Sequence, residues 1–482
     1  MKAASDSAGA GDRRWLVLIA GVFALSRGLY AWAGVRFNDW PLGVYWQYLD
    51  PFLLKRKLGE SLLYLHGQPP LFNLYLGTAL ATGHETAVFV ATFLVCGLAV
   101  YAGAFLLMRR LGACAPLAFA LATWLATAPA FVAYENWLFY SLPVAALLVL
   151  AGLALDRALR AGRARDGVVF LGVLAVVCGT RSLYHLAYLL AAVGLLALGW
   201  RDWRRALAAG VLPVSLVCAL YAKNALLFGH FAASTWTGMS LAHLTTDGLG
   251  AAEARRLVEA GILSPSSLVP AFSQPQVYPR AYFDPPPATR VRALYWETKT
   301  TGGPNYNHAA YIRISDELLH DSLWVVRHRP GLYLASVRES WRIYFRSPSD
   351  LRFLGAENLG AVQPASDLYD SVFFLRRRGP GSGDDPRAPT RYWGLILGLP
   401  VVFVLGLAAA LGRGPGRRLD RSQRLLAGFL CFNIAYVAVV GNSLELGENN
   451  RFRFETDPLS VCLLGLSLQG ALDRLRGRGG RA

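Results

Sequence analysis

The run Trp15–Gly34, WLVLIAGVFALSRGLYAWAG, decides the fold class because it is long and apolar enough to cross a lipid bilayer. The polar residues before it lack the short apolar region and the cleavage site of a signal peptide, so we expect the run to remain as an anchor. Comparable runs follow near residues 86–108, 113–131, 137–155, 167–180, 183–199, 206–223, 391–411, 425–441 and 456–472. The sequence therefore predicts an all-α polytopic membrane protein with about ten transmembrane helices.

The composition of the 482 residues agrees with a membrane protein. Hydrophobic residues make up 54%, charged residues only 16%, and the mean hydropathy is +0.35, which argues against a set of soluble domains. The net charge of +17 comes almost wholly from arginine, since only 5 of the 48 basic residues are lysine. These arginines form short clusters between apolar runs, a pattern that favours orientation in the membrane over nucleic-acid binding.

The arginine clusters also predict the topology. With ten crossings they all fall on one face, which the positive-inside rule makes cytoplasmic, together with both termini. The clusters are 13–14, 109–110, 157–165, 201–205, 413–424 and 474–481. The six cysteines fall in predicted spans, so we expect neither a disulfide framework nor a cysteine metal site.

Three parts follow from this topology. Residues 1–223 form an N-terminal transmembrane module with a first outer loop at 35–85, residues 224–390 a large outer segment, and residues 391–482 the C-terminal spans. In the first outer loop, Gly43–Tyr64 and Pro69–Ala81 are predicted to be helices lying at the membrane interface. The large segment combines Pro- and Gly-rich stretches, at 284–287, 302–304 and 379–386, with a predicted helical stretch at Ala309–Phe345.

Three carboxylates on the predicted outer face are candidate catalytic bases. Asp39 and Asp50 lie in the first outer loop, and Glu135 lies between the third and fourth spans. A carboxylate can take the proton of an acceptor hydroxyl. Each has a structural alternative: Asp39 could cap a turn, Asp50 could start a helix before Pro51, and Glu135 could be a solvated helix end.

Several basic residues on the same face are candidate ligands of a phosphate group. Arginine binds phosphate through its planar fork, and lysine binds it as a point charge. The candidates are His66, Arg181, Lys223, Arg451 and Arg453. The alternatives are that the long cations reach towards headgroups and that His66 bonds backbone at the Pro-Pro turn. Arg27, inside the first span, has no partner that the sequence identifies.

Four polar groups return to this face from distant parts of the chain, which favours one shared site. They are the first outer loop, Tyr134–Trp137, Thr180-Arg181 with Lys223-Asn224, and 442–457, which contains Glu445 and Glu448. Cationic stabilisation of a leaving lipid phosphate and one carboxylate base would be sufficient for transfer of a sugar from its C1.

With these residues in place, the chain resembles the GT-C glycosyltransferase superfamily, in the branch of protein O-mannosyltransferases and lipid A aminoarabinose transferases. An outer-loop acid followed by a His-Pro-Pro-Leu type motif is similar to Asp39 and His66–Leu71, although Gly67-Gln68 separates the histidine from the prolines. The later matches are Arg109-Arg110, Glu135 with Tyr140, Lys223–Gly229, and Arg451–Phe454 with Pro458.

The resemblance implies a polyprenyl-phosphate sugar donor, inversion at the anomeric carbon and no nucleotide-sugar site. The expected partners are this donor, a glycan, lipid or protein acceptor, and the bilayer, with no nucleic acid. No cofactor is expected; two acidic groups on one face leave a divalent cation open, but no ligand cluster has metal spacing. The arginine bias and the lack of Asn-x-Ser/Thr sequons lean towards a bacterial inner membrane with an outward-facing site.

Two other classes of function remain open. A transporter or lipid flippase would need ionisable residues near the bilayer midplane and broken helices, whereas most charges here lie at one rim. A non-catalytic membrane scaffold would tolerate loss of Asp39 and Asp50. The acceptor class is undecided, and we hypothesise only that Asn305–His308 borders the acceptor cleft.

Overall fold

The computed structural model describes residues 2–285, 288–377, 390–414 and 418–477, and the regular secondary structure of these residues is almost entirely helical. The only sheet in the described ranges is an antiparallel pair, β1 (Arg376–Arg377) and β2 (Arg391–Tyr392). The all-α prediction is thereby confirmed. The predicted loop at 379–386, residues 286–287 and the arginine-rich residues 415–417 and 478–481 lie outside the described residues.

The N-terminal part comprises the helices α1 (Lys2–Trp32), α2 (Pro41–Val44), α3 (Pro51–Arg56), α4 (Leu58–Leu63), α5 (Leu71–Ala81), α6 (Glu85–Arg110), α7 (Ala115–Ala126), α8 (Pro129–Glu135), α9 (Ser141–Ala161), α10 (Ala164–Thr180), α11 (Leu186–Trp200) and α12 (Trp203–Phe228). The large segment contains α13 (Thr237–Ala242), α14 (Ala251–Glu259), α15 (Arg292–Tyr295), α16 (Ala310–His328), α17 (Pro330–Tyr344) and α18 (Ala356–Phe373). The C-terminal part contains α19 (Trp393–Ala410), α20 (Arg421–Leu444) and α21 (Asn449–Leu475).

Six of the described helices are long and apolar enough to cross a membrane: α1 from Asp12, α6, α9, α12, α19 and α20. The pair α7 and α8 adds a seventh if it is one span, bent by 62° where Pro129 begins the second helix. The predicted spans at 167–180, 183–199 and 456–472 coincide with α10 and α11, which are short, and with α21, which carries charges. The helices fit an integral multi-pass membrane protein, and the ten-span topology stays a prediction.

The first outer loop differs from its prediction. Instead of one helix over Gly43–Tyr64, the chain forms α2, α3 and α4, because Asp50 caps a new helix and Pro51 occupies its first turn. The Asp50 carboxylate accepts the backbone N–H of Phe52 at 2.7 Å. Helix α5 starts directly after Pro70, as the Pro-Pro pair predicts.

The large segment packs on the helices of the membrane part. The predicted helical stretch Ala309–Phe345 is two helices, α16 and α17, which are separated at Arg329-Pro330. Helix α16 packs against α13, and α17 packs against α20 and α21. Helix α12 runs to Phe228, beyond the predicted limit of 223, and ends at Gly229 in the left-handed conformation (φ 79°). These contacts bring the large segment over the ends of the membrane helices.

Candidate functional site

A cavity of about 710 Å³ opens where the first outer loop, the large segment and the ends of several helices meet. Its walls are formed by residues 46, 47, 68, 140, 181–183, 185–187, 221, 232–234, 236, 237, 240, 243, 271, 272, 353, 441, 444–448, 451 and 452. The lining combines apolar and aromatic side chains with a few charged or imidazole groups: Arg181, His185, His243, Glu445, Glu448 and Arg451. This mixture is typical of a site for an amphipathic ligand.

Two arginines from distant parts of the sequence meet at this cavity. The guanidinium carbons of Arg181, at the end of α10, and Arg451, in the first turn of α21, lie 4.5 and 5.0 Å from the ring centre of Phe452. Both also face Tyr140, at 5.8 and 5.7 Å. The aromatic rings fix the two cations side by side through cation–π attraction.

Each arginine has a carboxylate partner, but the pairs differ in what they leave free. Arg181 pairs with Glu455, and both side chains are buried. Arg451 donates from Nε to Glu448 at 2.8 Å, and Glu448 is half-buried at the cavity. Within the described residues, Nη1 of Arg451 is buried and has no hydrogen-bond partner. An anionic ligand would satisfy this donor.

A carboxylate–imidazole–carboxylate row reaches another part of the cavity, which His243 and Glu445 line and Asp247 supports from behind. Nδ1 of His243 lies 2.8 Å from Oδ2 of Asp247, and its Nε2 lies 3.9 Å from Oε1 of Glu445. Burial raises the pKa of Glu445 to about 7, with Glu448 adding to the rise and His243 opposing it. Burial lowers the pKa of His243, but Asp247, Glu445 and Glu448 outweigh it, so the net pKa of His243 is raised.

His66 and Lys223 lie behind the cavity wall and hold it in place. The buried His66 ring is held by Thr235 Oγ1 at 2.7 Å from Nδ1 and by the Asn307 carbonyl at 3.0 Å from Nε2. Burial lowers the pKa of His66 to about 3, so the ring is neutral at physiological pH. Lys223 donates from Nζ to the carbonyl of Leu65 at 2.5 Å. Both residues therefore tie the motif region of the first outer loop to its neighbours.

The glycine after His66 has a clear steric reason. A Cβ added to Gly67 would lie 2.3 Å from Cε2 of Trp236, so only glycine allows the indole to pack against the backbone there. Ser234 donates from Oγ to the Gly67 carbonyl at 2.6 Å, and Gln68 next to it lines the cavity. Gly67 thus leaves the space in which Trp236 packs against the first outer loop.

Asp39 and Asp50 do not line the cavity. Asp39 accepts a hydrogen bond from Thr86 Oγ1 at 2.8 Å, near the start of α6. Asp50 is 3% exposed; besides capping α3, it accepts from the backbone N–H of Thr300 at 2.5 Å and from its hydroxyl at 3.0 Å. Asp50 therefore joins the first outer loop to the large segment.

Glu135 is the partner of Arg27 that the sequence did not identify. Nε and Nη2 of Arg27 each donate to a different oxygen of Glu135 at 2.7 Å, and Nη1 donates to the Ala126 carbonyl at 2.9 Å. Glu135 is 1% exposed and is held against Gly97, where an added Cβ would lie 1.8 Å from Oε2. The two residues satisfy each other between α1, α6 and α8, and neither of them lines the cavity.

Arg453 and the segment Asn305–His308 also have partners outside the cavity. Arg453 donates to the carbonyls of Tyr344 and Arg346 at 2.6 and 2.7 Å and pairs with Asp457 at 3.1 Å, which ties α21 to the end of α17. Asn305 donates to the carbonyls of Ala293 and Trp296. The segment we expected to border an acceptor cleft supports the wall and does not line it.

Of the predicted site residues, the structure thus brings Arg181 and Arg451 together at one cavity. Sequence reasoning placed Glu445 and Glu448 on the outer face without assigning them a role, and it missed His243, Asp247 and Trp236. The one signal for His243 and Asp247 was their spacing of four residues, a weak pattern in a chain with 8 histidines. No group of three or more His, Cys, Asp or Glu among the described residues could hold a metal ion.

Comparison with known proteins identified no relative: no family model matches the chain, and neither a curated protein nor a solved structure matches it. The likeness to GT-C enzymes therefore rests on the sequence motifs.

Proposed function

We propose that the chain is a membrane glycosyltransferase of the GT-C type that transfers a sugar from a polyprenyl-phosphate donor to an acceptor hydroxyl. The observation that carries this proposal is the convergence of Arg181 and Arg451 on one cavity that also contains Glu445 and Glu448. Cations and carboxylates in a water-restricted site are the two kinds of group that such a transfer needs.

The arginines bind the phosphate of the donor. Arg451 lines the cavity, its buried Nη1 has no partner among the described residues, and a guanidinium offers a planar fork that suits phosphate oxygens. As the bond between C1 of the sugar and the phosphate oxygen breaks, negative charge grows on polyprenyl phosphate. Arg451, with Arg181 beside it, stabilises this leaving group.

Glu445 is the carboxylate that best suits the general base. It lines the cavity, and a pKa of about 7 makes it a stronger base than an ordinary carboxylate while leaving much of it ionised near neutral pH. The acceptor oxygen attacks C1 from the face opposite the phosphate, Glu445 takes the hydroxyl proton, and the anomeric configuration is inverted. The roles of Asp39, Asp50 and Glu135 as bases stay predictions, and their hydrogen bonds elsewhere favour Glu445.

The proposal includes the surroundings of the reaction. The polyprenyl chain lies in the bilayer beside the apolar helices, and the cavity faces the extracytoplasmic side, which the arginine clusters favour by the positive-inside rule. A bacterial inner membrane is the proposed location. The proposed transfer uses no resident cofactor.

A lipid transporter or flippase is the second candidate, and two observations favour it. Helices α7 and α8 form a bent pair, and Arg27 and Glu135 form an ion pair between apolar helices. Broken helices and intramembrane charges are features of transport pathways. The closed geometry of that ion pair weighs against a path through it.

Transfer of radiolabelled sugar in proteoliposomes tests the proposal. The donors are a panel of polyprenyl-phosphate sugars, and the proteins are wild type, Glu445→Gln and Arg451→Gln. Matched controls are Glu339→Gln and Arg342→Gln, which change an exposed ion pair on α17. We expect transfer by wild type and both controls and its loss in the two cavity variants. Movement of lipid phosphate between leaflets without sugar transfer would replace the proposal with the transporter.

A further inference from the structure

One part of the cavity is built from flat aromatic rings. Trp46, Trp236 and Phe272, which we call the aromatic wall, all line the cavity. The ring centre of Phe272 lies 5.1 Å from that of Trp46 and 5.5 Å from that of Trp236. Neither the donor phosphate nor the base of the proposed reaction uses this wall.

The backbone of Phe272 has an unusual conformation for a bulky residue. Its φ is 56°, in the left-handed region that favours glycine. The fold holds this conformation at three successive residues. Asp247 accepts the N–H of Ala271 at 3.1 Å, Tyr306 donates to the Phe272 carbonyl at 2.8 Å, and Tyr311 donates to the Ser273 carbonyl at 2.9 Å. Strain that is over-determined in this way is typical of ligand-binding positions.

Trp236 supplies a second, independent observation. The residue is only 4% exposed, and within the described parts of the chain its indole Nε1 is buried without a hydrogen-bond partner. The Nε1 edge of the indole packs against the first outer loop, since a Cβ added to Gly67 would lie 2.6 Å from Nε1. Trp236 therefore offers the cavity the apolar surface of its ring.

The wall is connected to the proposed base and not to the arginine pair. The imidazole of His243 stacks on Phe272 with ring centres 5.5 Å apart, and the same imidazole faces Glu445 at 3.9 Å. The arginines instead contact Phe452 and Tyr140. The wall thus adjoins the group that would receive the acceptor proton.

We propose that the aromatic wall is an acceptor subsite that binds a sugar ring, so that the acceptor is a glycan. Its acceptor role rests on the proposed function, whereas sugar binding does not. The C–H face of a sugar ring is apolar and slightly positive, so it stacks on the negative face of an aromatic ring. Its hydroxyls would bond the imidazole of His243, which also lines the cavity. A polyprenol offers no hydroxyl-bearing ring.

Saturation-transfer NMR on the purified full chain in detergent tests this subsite without any transfer reaction. The probes are methyl glycosides of glucose, galactose, mannose and arabinose, with a serine-containing peptide and a short polyprenol as separate arms. We expect saturation of sugar-ring protons by wild type and about tenfold weaker binding in Trp236→Leu, which lacks the aromatic ring on which the sugar stacks. Trp32→Ala, a change at an 87% exposed residue on α1, is the matched control.

A second variant, Phe272→Gly, distinguishes loss of the binding surface from misfolding of the Trp236 variant. Glycine accepts the left-handed backbone without strain, so this variant should fold while losing the central ring of the wall. Glycoside binding that is unchanged in both variants would overturn the subsite, as would saturation of only the peptide or the polyprenol or of no probe. If glycosides bind as expected but no donor supports transfer, the sugar subsite stands and the proposed glycosyltransferase fails.

Discussion

Two arginine–glutamate pairs in this protein have the same chemistry and different geometry. Between the apolar helices, Arg27 grips both oxygens of Glu135, and its remaining Nη1 bonds a carbonyl and Ser26 Oγ. At the cavity, Arg451 pairs with Glu448 but retains a buried Nη1 without a partner among the described residues. The first pair uses its hydrogen-bonding capacity internally, and the second leaves some for a ligand.

The comparison shows why burial and charge alone do not identify a site. Both arginines are largely buried, and both are paired with glutamate. What separates them is the balance of donors and acceptors and the presence of a cavity beside one pair. An ion pair whose polar atoms all have hydrogen-bond partners stabilises the fold. An ion pair beside a cavity that leaves a donor without a partner is a candidate ligand-binding group.

Breaking the closed pair should have the largest effect. Arg27→Met leaves the Glu135 carboxylate buried without its partner, so we expect the free energy of unfolding to fall by about 3–5 kcal/mol. Thermal unfolding in detergent, followed by size-exclusion chromatography, would measure this loss. The double variant Arg27→Met with Glu135→Leu should recover much of the stability, because no charge remains buried. A single variant as stable as wild type would contradict the structural role of the pair.

Removing the proposed base should come next. Glu445→Gln keeps the shape but cannot take a proton, so we expect the transfer rate to fall by about 10²–10⁴-fold. The wild-type rate should rise with pH up to about 7 and then level off, because only the ionised carboxylate accepts a proton and its pKa is about 7. Measuring the rate from pH 5 to 9 checks both expectations.

His243 allows a finer test of that base. Its positive charge lowers the pKa of Glu445, so His243→Gln should move the rising limb of the wild-type rate to higher pH. Glu339→Gln, on the exposed face of α17, should leave the profile in place. A Glu445→Gln enzyme with the wild-type pH profile would show that another group takes the proton.

Replacing Arg451 in its pair with Glu448 should lower the transfer activity more than the stability. Arg451→Gln removes a cation from the leaving phosphate, and we expect transfer to fall by about 10²–10³-fold. Glu448 is half-buried at the cavity and can be hydrated there after Arg451 is replaced. The unfolding temperature of Arg451→Gln should therefore fall less than that of Arg27→Met. The two thermal shifts, measured side by side, test the contrast between the pairs. Equal destabilisation with retained transfer would assign Arg451 a structural role.

The helices were largely predictable from the sequence, whereas their partners were not. Long apolar runs and Pro-Pro before Leu71 are local signals, and helices occur at each of those places. Arg27 and Glu135 are 108 residues apart, so no local pattern could pair them. The single predicted helix at Gly43–Tyr64 was wrong because Asp50 caps a new helix that starts at Pro51, inside the apolar pattern that indicated one helix.

The site shows the same limit at the level of single residues. His66 lies in a motif typical of ligand-binding residues, yet its two ring nitrogens are hydrogen-bonded to Thr235 and Asn307. Both partners come from the large segment, which the sequence left without a tertiary arrangement. Gly67 likewise leaves space for the indole of Trp236, which also belongs to the large segment. Motif position predicts that a residue matters, but only its contacts distinguish binding a ligand from holding a wall.

The two outer-loop carboxylates should give the smallest effects. Asp50→Asn keeps a helix cap but weakens the bonds to Thr300, so we expect a loss of about 1 kcal/mol in unfolding free energy and wild-type transfer per folded molecule. Asp39→Asn changes one hydrogen bond at a partly exposed site and should alter stability by less than about 0.5 kcal/mol. Transfer abolished by either substitution in a normally folded protein would return the base to the first outer loop, and Glu445 would then be a structural group like Glu135.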